Sequence, residues 1–192
     1  MCREELTKPM DGGLDDFRKN CDKFPLVTYY TRFVYDEGSG EVIRQIKYRE
    51  RRALLDLIAP PVTELAEALT ERYKLDMLLP VPLHPRKERE RGFNQSDLIA
   101  EAVAAGSGLR CQVRALERTK YTKQQTRLKG GKRLANVSGA FAVRDAAAVA
   151  GKRILLLDDV ITTGATAAHC VYALWAAGAE MVVALGVAGA DG

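Results

Sequence analysis

The most constraining stretch of the sequence is Arg153 to Leu157, whose uninterrupted apolar run Ile154-Leu155-Leu156-Leu157 leads straight into Asp158-Asp159. An apolar run without alternation suits a strand covered on both faces, as in a parallel sheet. Parallel strands need long crossovers, most often helical. The rest of the chain supplies both parts. Met77-Leu78-Leu79-Pro80-Val81 reads as a second buried strand, stopped by Pro82, and Met181 to Val187 as a third. Thr166 to Ala177 reads as a helix closed by Gly178 in the C′ position. Buried strands alternating with helices predict an α/β fold, a mainly parallel sheet with helices on both faces.

Finer expectations follow from local pattern. Val27 to Val34 is β-branched and aromatic, a strand or hairpin arm. Glu41 to Tyr48 places Val42, Ile43 and Ile46 on one helical face. Leu54, Leu55 and Ile58 continue an apolar stripe that should end at Pro60-Pro61, with a new helix from Val62 to Tyr73 burying Val62, Leu65, Ala66 and Leu69. A charged loop is expected from Leu83 to Arg91. Asn94 should cap a helix with Leu98, Ile99 and Val103 inward, ending at Gly106 and Gly108. Val113–Leu116 and Ala140–Val143 are short strand candidates, and 117–139 reads as a long functional loop. Residues 1–24 are polar and without period, so 1–29 are expected to be an appendage to a domain spanning 30–192.

Composition narrows the class. The chain has 192 residues, 47% hydrophobic and 28% charged, enough apolar content for one sizeable core. No apolar run reaches the ~18 residues of a membrane span, and the N-terminus lacks a signal peptide's layout, so membrane insertion and export are not expected. Cys2, Cys21, Cys111 and Cys170 form no C-x-x-C pair, and His84 and His169 are the only imidazoles. Structural zinc is therefore not expected, and Cys111 and Cys170 read as small hydrophobes in a reducing, cytoplasmic setting. The same scarcity of histidine, with no G-x-S-x-G, argues against a Ser-His-Asp hydrolase. Gly130-Gly131-Lys132 continues into Arg133, so it is no phosphate-binding P-loop.

The chemistry sits after the strongest strand. Asp158 and Asp159 would emerge at its carboxyl end, where ligands bind in open α/β sheets. Thr162, Thr163, Gly164, Ala165 and Thr166 then turn into a helix whose N–H groups, with threonine hydroxyls, would cradle an anion. Two acids beside an anion cradle make sense for one ligand that carries both hydroxyls and a phosphate, and ribose 5-phosphate is such a ligand. The plainer alternative is a Thr-capped helix, which leaves the two acids without partners.

That segment resembles the phosphoribosyl pyrophosphate (PRPP) motif of type I phosphoribosyltransferases. More narrowly, the chain resembles the ComF/GntX group of competence-associated, phosphoribosyltransferase-like proteins. The matching segments are Phe33–Gly38, Ile43–Tyr48, Val81–Arg86, Arg89–Gln95, Arg118-Thr119, Gln125 with Leu128, Arg133 with Asn136, and Gly139–Phe141. The resemblance covers about Tyr30 to Val187. It departs at the front, where the family usually carries a four-cysteine zinc ribbon and this chain has only Cys2 and Cys21.

The resemblance implies a type I phosphoribosyltransferase-like sheet with a small N-terminal hood, and Mg²⁺ carried by PRPP rather than held directly by protein ligands. Asp158 and Asp159 would orient the ribose in the catalytic site, and residues 162–166 would hold the 5-phosphate. Pro82, Leu83 and His84, with Arg86, Arg89 and Arg91 nearby, would form the pyrophosphate loop. Arg118, Gln125, Arg133 and Asn136 would belong to a flexible loop that closes over PRPP. From Arg110 to Arg133 there are nine Lys/Arg against one acid, Glu117, a local +8 in a chain of net +4. That concentration suits PRPP and also a nucleic-acid backbone. The implied role is phosphoribosyl transfer to an unidentified acceptor, linked to DNA uptake in natural transformation. The alternative is a non-catalytic module that handles single-stranded DNA, with a helicase-like competence protein as partner, or that senses PRPP.

Overall fold

The structure is a computed structural model and describes residues 28–46, 54–119 and 139–189. Its centre is a five-stranded sheet in the order β1-β7-β6-β2-β3, with every neighbouring pair parallel. These strands are β1 (Thr28–Val34), β2 (Met77–Pro80), β3 (Arg110–Cys111), β6 (Arg153–Ile161) and β7 (Met181–Gly189). A separate antiparallel pair joins β4 (Leu116–Arg118) to β5 (Phe141–Val143). The helices are α1 (Glu37–Ile46), α2 (Leu55–Tyr73), α3 (Pro85–Arg91), α4 (Gln95–Ser107), α5 (Ala146–Val149) and α6 (Ala165–Ala176). The expected parallel α/β architecture is present, and no described helix is long and apolar enough to cross a membrane.

The apolar run that opened the sequence reading is the middle of the core. Ile154, Leu155, Leu156 and Leu157 are buried and alternate between the two sheet faces. Leu155 and Leu157 join Val62, Leu65 and Leu69 of α2 and Ile99 and Val103 of α4. Ile154 and Leu156 join Cys170, Val171 and Leu174 of α6, together with Leu116 and Phe141 of the β4–β5 pair. At roughly 1.5–3 kcal/mol for each large apolar side chain buried, this strand alone contributes a large share of the driving force for folding.

Several boundaries differ from the sequence reading. Pro60-Pro61 do not end a helix; α2 runs through them from Leu55 to Tyr73. Each proline deprives the carbonyl four residues earlier of its donor. Those carbonyls belong to Asp56 and Leu57, both exposed, where water can replace the lost bond. β1 is a parallel edge strand beside β7, not a hairpin arm. The expected loop from Leu83 to Arg91 contains a helix, α3, started by Pro85 in its first turn. The Val113–Leu116 strand is displaced: Leu116 begins β4, and Arg114 has φ of 78° in the preceding turn. Gly106 lies inside α4, because a Cβ there would come within 2.8 Å of Thr63 Cγ2 on α2, and Gly108 is the left-handed cap.

Candidate functional site

Strand β6 does not stop at its acids. It continues to Ile161, pairing Asp158 with Gly186, Val160 with Ala188 and Ile161 with Gly189. Ladder bonds are made by the backbone, so two polar side chains do not interrupt them. Asp158 and Asp159 are therefore held on a rigid central strand near its carboxyl end, not at a loop mouth.

Asp158 is 9% exposed, and its Oδ1 accepts from the Asp159 amide at 2.9 Å and from Ser96 Oγ at 3.4 Å. Burial, followed by the neighbouring charge of Asp159, pushes its carboxyl well above the usual range. Asp159 is half-buried, and its Oδ1 accepts from the Val160 amide at 2.8 Å. Among the described residues, neither carboxylate has a lysine or arginine partner. Two adjacent acids without a cation are costly unless something else supplies positive charge.

Three residues past β6 the chain enters α6. Gly164 sits at the N-cap with φ of 69°, a left-handed conformation that glycine adopts without strain, and no side chain caps the helix. The first-turn N–H groups of a helix have no intrahelical acceptor, so this end presents donors and the positive end of the dipole. Thr162, Thr163, Ala165 and Thr166 are exposed around it. The structure thus brings the expected acids and the expected cradle to one edge of the sheet.

The β2–α3 connection reaches the same edge. Val81 is held by its amide to Leu157 O at 2.8 Å; Pro82 and Leu83 follow outside any helix or strand, and His84 is extended. His84 is the N-cap of α3, its Nδ1 accepting from the Arg86 amide at 3.1 Å. Burial, then the charges of Arg118, Arg89, Arg86 and Lys87, lowers its pKa and favours the neutral ring this bond requires. Arg86 pairs with Glu90 at 3.0 Å on the exposed side of α3, and Arg91 is exposed at its end. Arg118, at the end of β4, lies over the Phe141 ring at 5.4 Å, and its charge is also felt at His169 on α6. Arg118 therefore joins the β4–β5 pair to the cradle's surroundings. Gln125, Arg133 and Asn136 lie outside the described residues, as do Cys2 and Cys21. Cys111 and Cys170 are free thiols; burial pushes Cys111 up to about 11 and Cys170 well above its usual value, so both behave as small apolar groups.

Two concavities flank the acids in strand order. One, about 190 Å³, lies beyond β2 and is lined by Pro82, Leu83, Asn94, Asp97, Arg114 and Arg118 among others. The other, an open groove of about 680 Å³, lies beyond β1 beside Tyr35, Asp36, Glu37, Glu41 and Arg44. Neither is lined by the acids or the cradle.

Sequence reasoning missed the role of Asn94, Gln95 and Ser96, which are 6%, 3% and 4% exposed. Three consecutive polar residues at a helix start, followed by the apolar pattern of α4, were the available signal.

The class defined so far is a parallel α/β domain with a carboxylate pair and an uncapped helix N-terminus at the sheet's carboxyl edge. The chain is 31% identical over 177 residues to "Competence protein F" of Haemophilus influenzae, covering 87% of this chain and 72% of that protein. The chain belongs to that competence protein F (ComF) family. It is also 32% identical over 153 residues to "DNA utilization protein YhgH" of Escherichia coli K12, and 29% identical over 144 residues to "Competence protein ComFC" of Bacillus subtilis. The matches cover 77% and 72% of this chain but only 66% and 55% of those relatives, under two thirds of their length. No protein-family model matches. Among solved structures, the chain is similar to the B. subtilis glutamine PRPP amidotransferase (19% identity, TM-score 0.46, covering 76% of this chain and 30% of that one). It is similar too to the orotate phosphoribosyltransferase of Mycobacterium tuberculosis (16% identity, TM-score 0.41, covering 77% and 78%).

Proposed function

We propose that the carboxyl edge of β6 binds PRPP and that the protein transfers its phosphoribosyl group to a nucleophile, releasing pyrophosphate. The observation that carries this reading is the pair Asp158-Asp159, without a cationic partner among the described residues, five residues ahead of Gly164 at an uncapped helix N-terminus. Asp158 and Asp159 accept hydrogen bonds from the ribose 2- and 3-hydroxyls, and the Thr162–Thr166 turn holds the 5-phosphate. In the transfer, the bond from ribose C1 to the pyrophosphate oxygen breaks and a bond from C1 to the nucleophile forms. Positive charge builds on the ring and negative charge on pyrophosphate, so preorganised acids on one side and donors on the other lower the barrier.

When bound, Mg²⁺ would neutralise charge on the diphosphate, as metal ions do in phosphoryl and pyrophosphoryl chemistry. Calorimetric titration of PRPP with and without Mg²⁺ tests the site. Saturable binding that falls at least a hundredfold in Asp158→Asn/Asp159→Asn is expected, and equal binding by that variant would sink the reading.

The names of the relatives support a role in DNA uptake or utilisation, in a cytoplasmic setting that free thiols at Cys111 and Cys170 suit. A second reading therefore stands beside transfer, in which the domain is a non-catalytic module that handles single-stranded DNA. Arg110, Arg114 and Arg118 favour it. Binding of a single-stranded oligonucleotide that weakens steeply with salt would support it, and no binding at low salt would remove it.

A further inference from the structure

The start of α4 carries three buried polar side chains in succession, and none of them caps its own helix. Asn94 stands at the N-cap, where its cheapest use would be to accept from the α4 backbone. Instead its Nδ2 donates to Val81 O at 3.1 Å, in the connection that leads to α3, and to Asp97 Oδ1 at 2.6 Å. Gln95 Nε2 donates to Ile43 O in α1. Ser96 Oγ donates to Asp158 Oδ1. Adjacent residues thus bind three segments that lie 13, 52 and 62 residues away in sequence.

Stability alone is a poor account of this trio. Burying polar groups gains little even when they are paired, and an apolar residue of similar shape often does as well. Gln95 also leaves its Oε1 buried without a hydrogen-bond partner, which costs free energy. Local rules are broken in this way where geometry is being held for a purpose.

We propose that Asn94, Gln95 and Ser96 form one clamp that fixes three walls of the site relative to one another, each acting as a positioning residue for a different part of the ligand. Asn94 sets the β2–α3 connection against the diphosphate. Ser96 sets Asp158 against the ribose. Gln95 sets α1, and with it the groove beside Tyr35, where an acceptor would approach. The inference rests on the PRPP reading for the identity of the ligand parts.

The test separates the three arms. Pyrophosphate and ribose 5-phosphate are titrated separately against the parent protein, Ser96→Ala, Ser96→Thr and Asn94→Ala. Ser96→Ala is expected to weaken ribose 5-phosphate about tenfold with pyrophosphate unchanged, Ser96→Thr to restore it, and Asn94→Ala to do the reverse. Amide hydrogen exchange on the ligand-free proteins gives an independent readout. Faster exchange should be confined to 158–160 for Ser96→Ala, to 81–84 for Asn94→Ala and to 43–46 for Gln95→Ala. Parallel weakening of both ligands, failed rescue by threonine, or exchange changes spread over the whole sheet would overturn the clamp. If the parent protein binds neither ligand, the PRPP reading fails, and the exchange pattern alone decides whether the three arms are separate.

Discussion

Two helix N-termini stand at the carboxyl end of β6, and they are built in opposite ways. At α6 the turn is small and hydroxylic, exposed, held by a left-handed glycine and left without a cap. At α4 the start is buried, and Asn94, Gln95 and Ser96 each donate to another segment. Both present positive dipole ends, yet only the α6 start is exposed to an incoming anion. The contrast shows that a helix start can serve a site either by staying open or by being locked.

The largest effects should come from the strand both helices share. Leu156→Ala removes packing on the α6 side and Leu157→Ala on the α4 side, and each should cost about 2–5 kcal/mol in urea unfolding. Similar losses would show that β6 supports both helices equally, leaving the polar residues to account for any functional difference. A loss on one side only would mean that the other helix is anchored elsewhere. Next in size is Gly164→Ala. An L-residue in the left-handed region costs roughly 1–2 kcal/mol, and ribose 5-phosphate binding should weaken with it. Unchanged stability would show that the turn relaxes, and the open helix start would then not depend on this conformation.

Much of the fold was legible because its signals were local. An apolar run such as Leu155–Leu157 can only be buried on both faces, and glycines at 108, 164 and 178 mark turns where φ is positive. The strand-to-helix site was legible for the same reason, since acids, hydroxyls and glycine are contiguous. What escaped was decided by tertiary context. Pro60-Pro61 looked like a stop, but the carbonyls they leave unpaired belong to exposed residues, Asp56 and Leu57. The 83–91 segment is so charged that its helix shows no apolar stripe, and it is started by Pro85 and the His84 cap. Asn94 read as an ordinary cap, because nothing in the sequence says that Val81 O will lie within its reach.

A pH experiment probes the locked helix start directly. Burial pushes the Asp97 carboxyl up to about 6, against the Asn94 hydrogen bond that favours the charged form. An acid raised on folding holds its proton more tightly in the native state, so its contribution is fully present below the unfolded value near 3.8 and is lost as pH rises through about 6. Asp97→Asn should therefore remove a fall in thermal stability between about pH 4 and pH 6. Asp158, raised for the same reason, should keep its own loss of stability with rising pH in that variant. If the difference between parent and Asp97→Asn is flat across the window, Asp97 is solvated and the α4 start is less closed than its burial indicates.

The smallest effect concerns the cations beside the β2–α3 connection. Arg86 and Glu90 are 65% and 59% exposed, so their ion pair should add no more than about 0.5 kcal/mol to stability. Glu90→Gln should leave unfolding unchanged within that margin. It also removes the negative charge that holds Arg86 along α3, so the guanidinium can turn toward a polyanion at lower cost. Pyrophosphate binding should then tighten about twofold, with ribose 5-phosphate unaffected. Weaker pyrophosphate binding would mean that Glu90 aims Arg86 rather than restraining it, and the contrast drawn here between committed and available side chains would extend into α3.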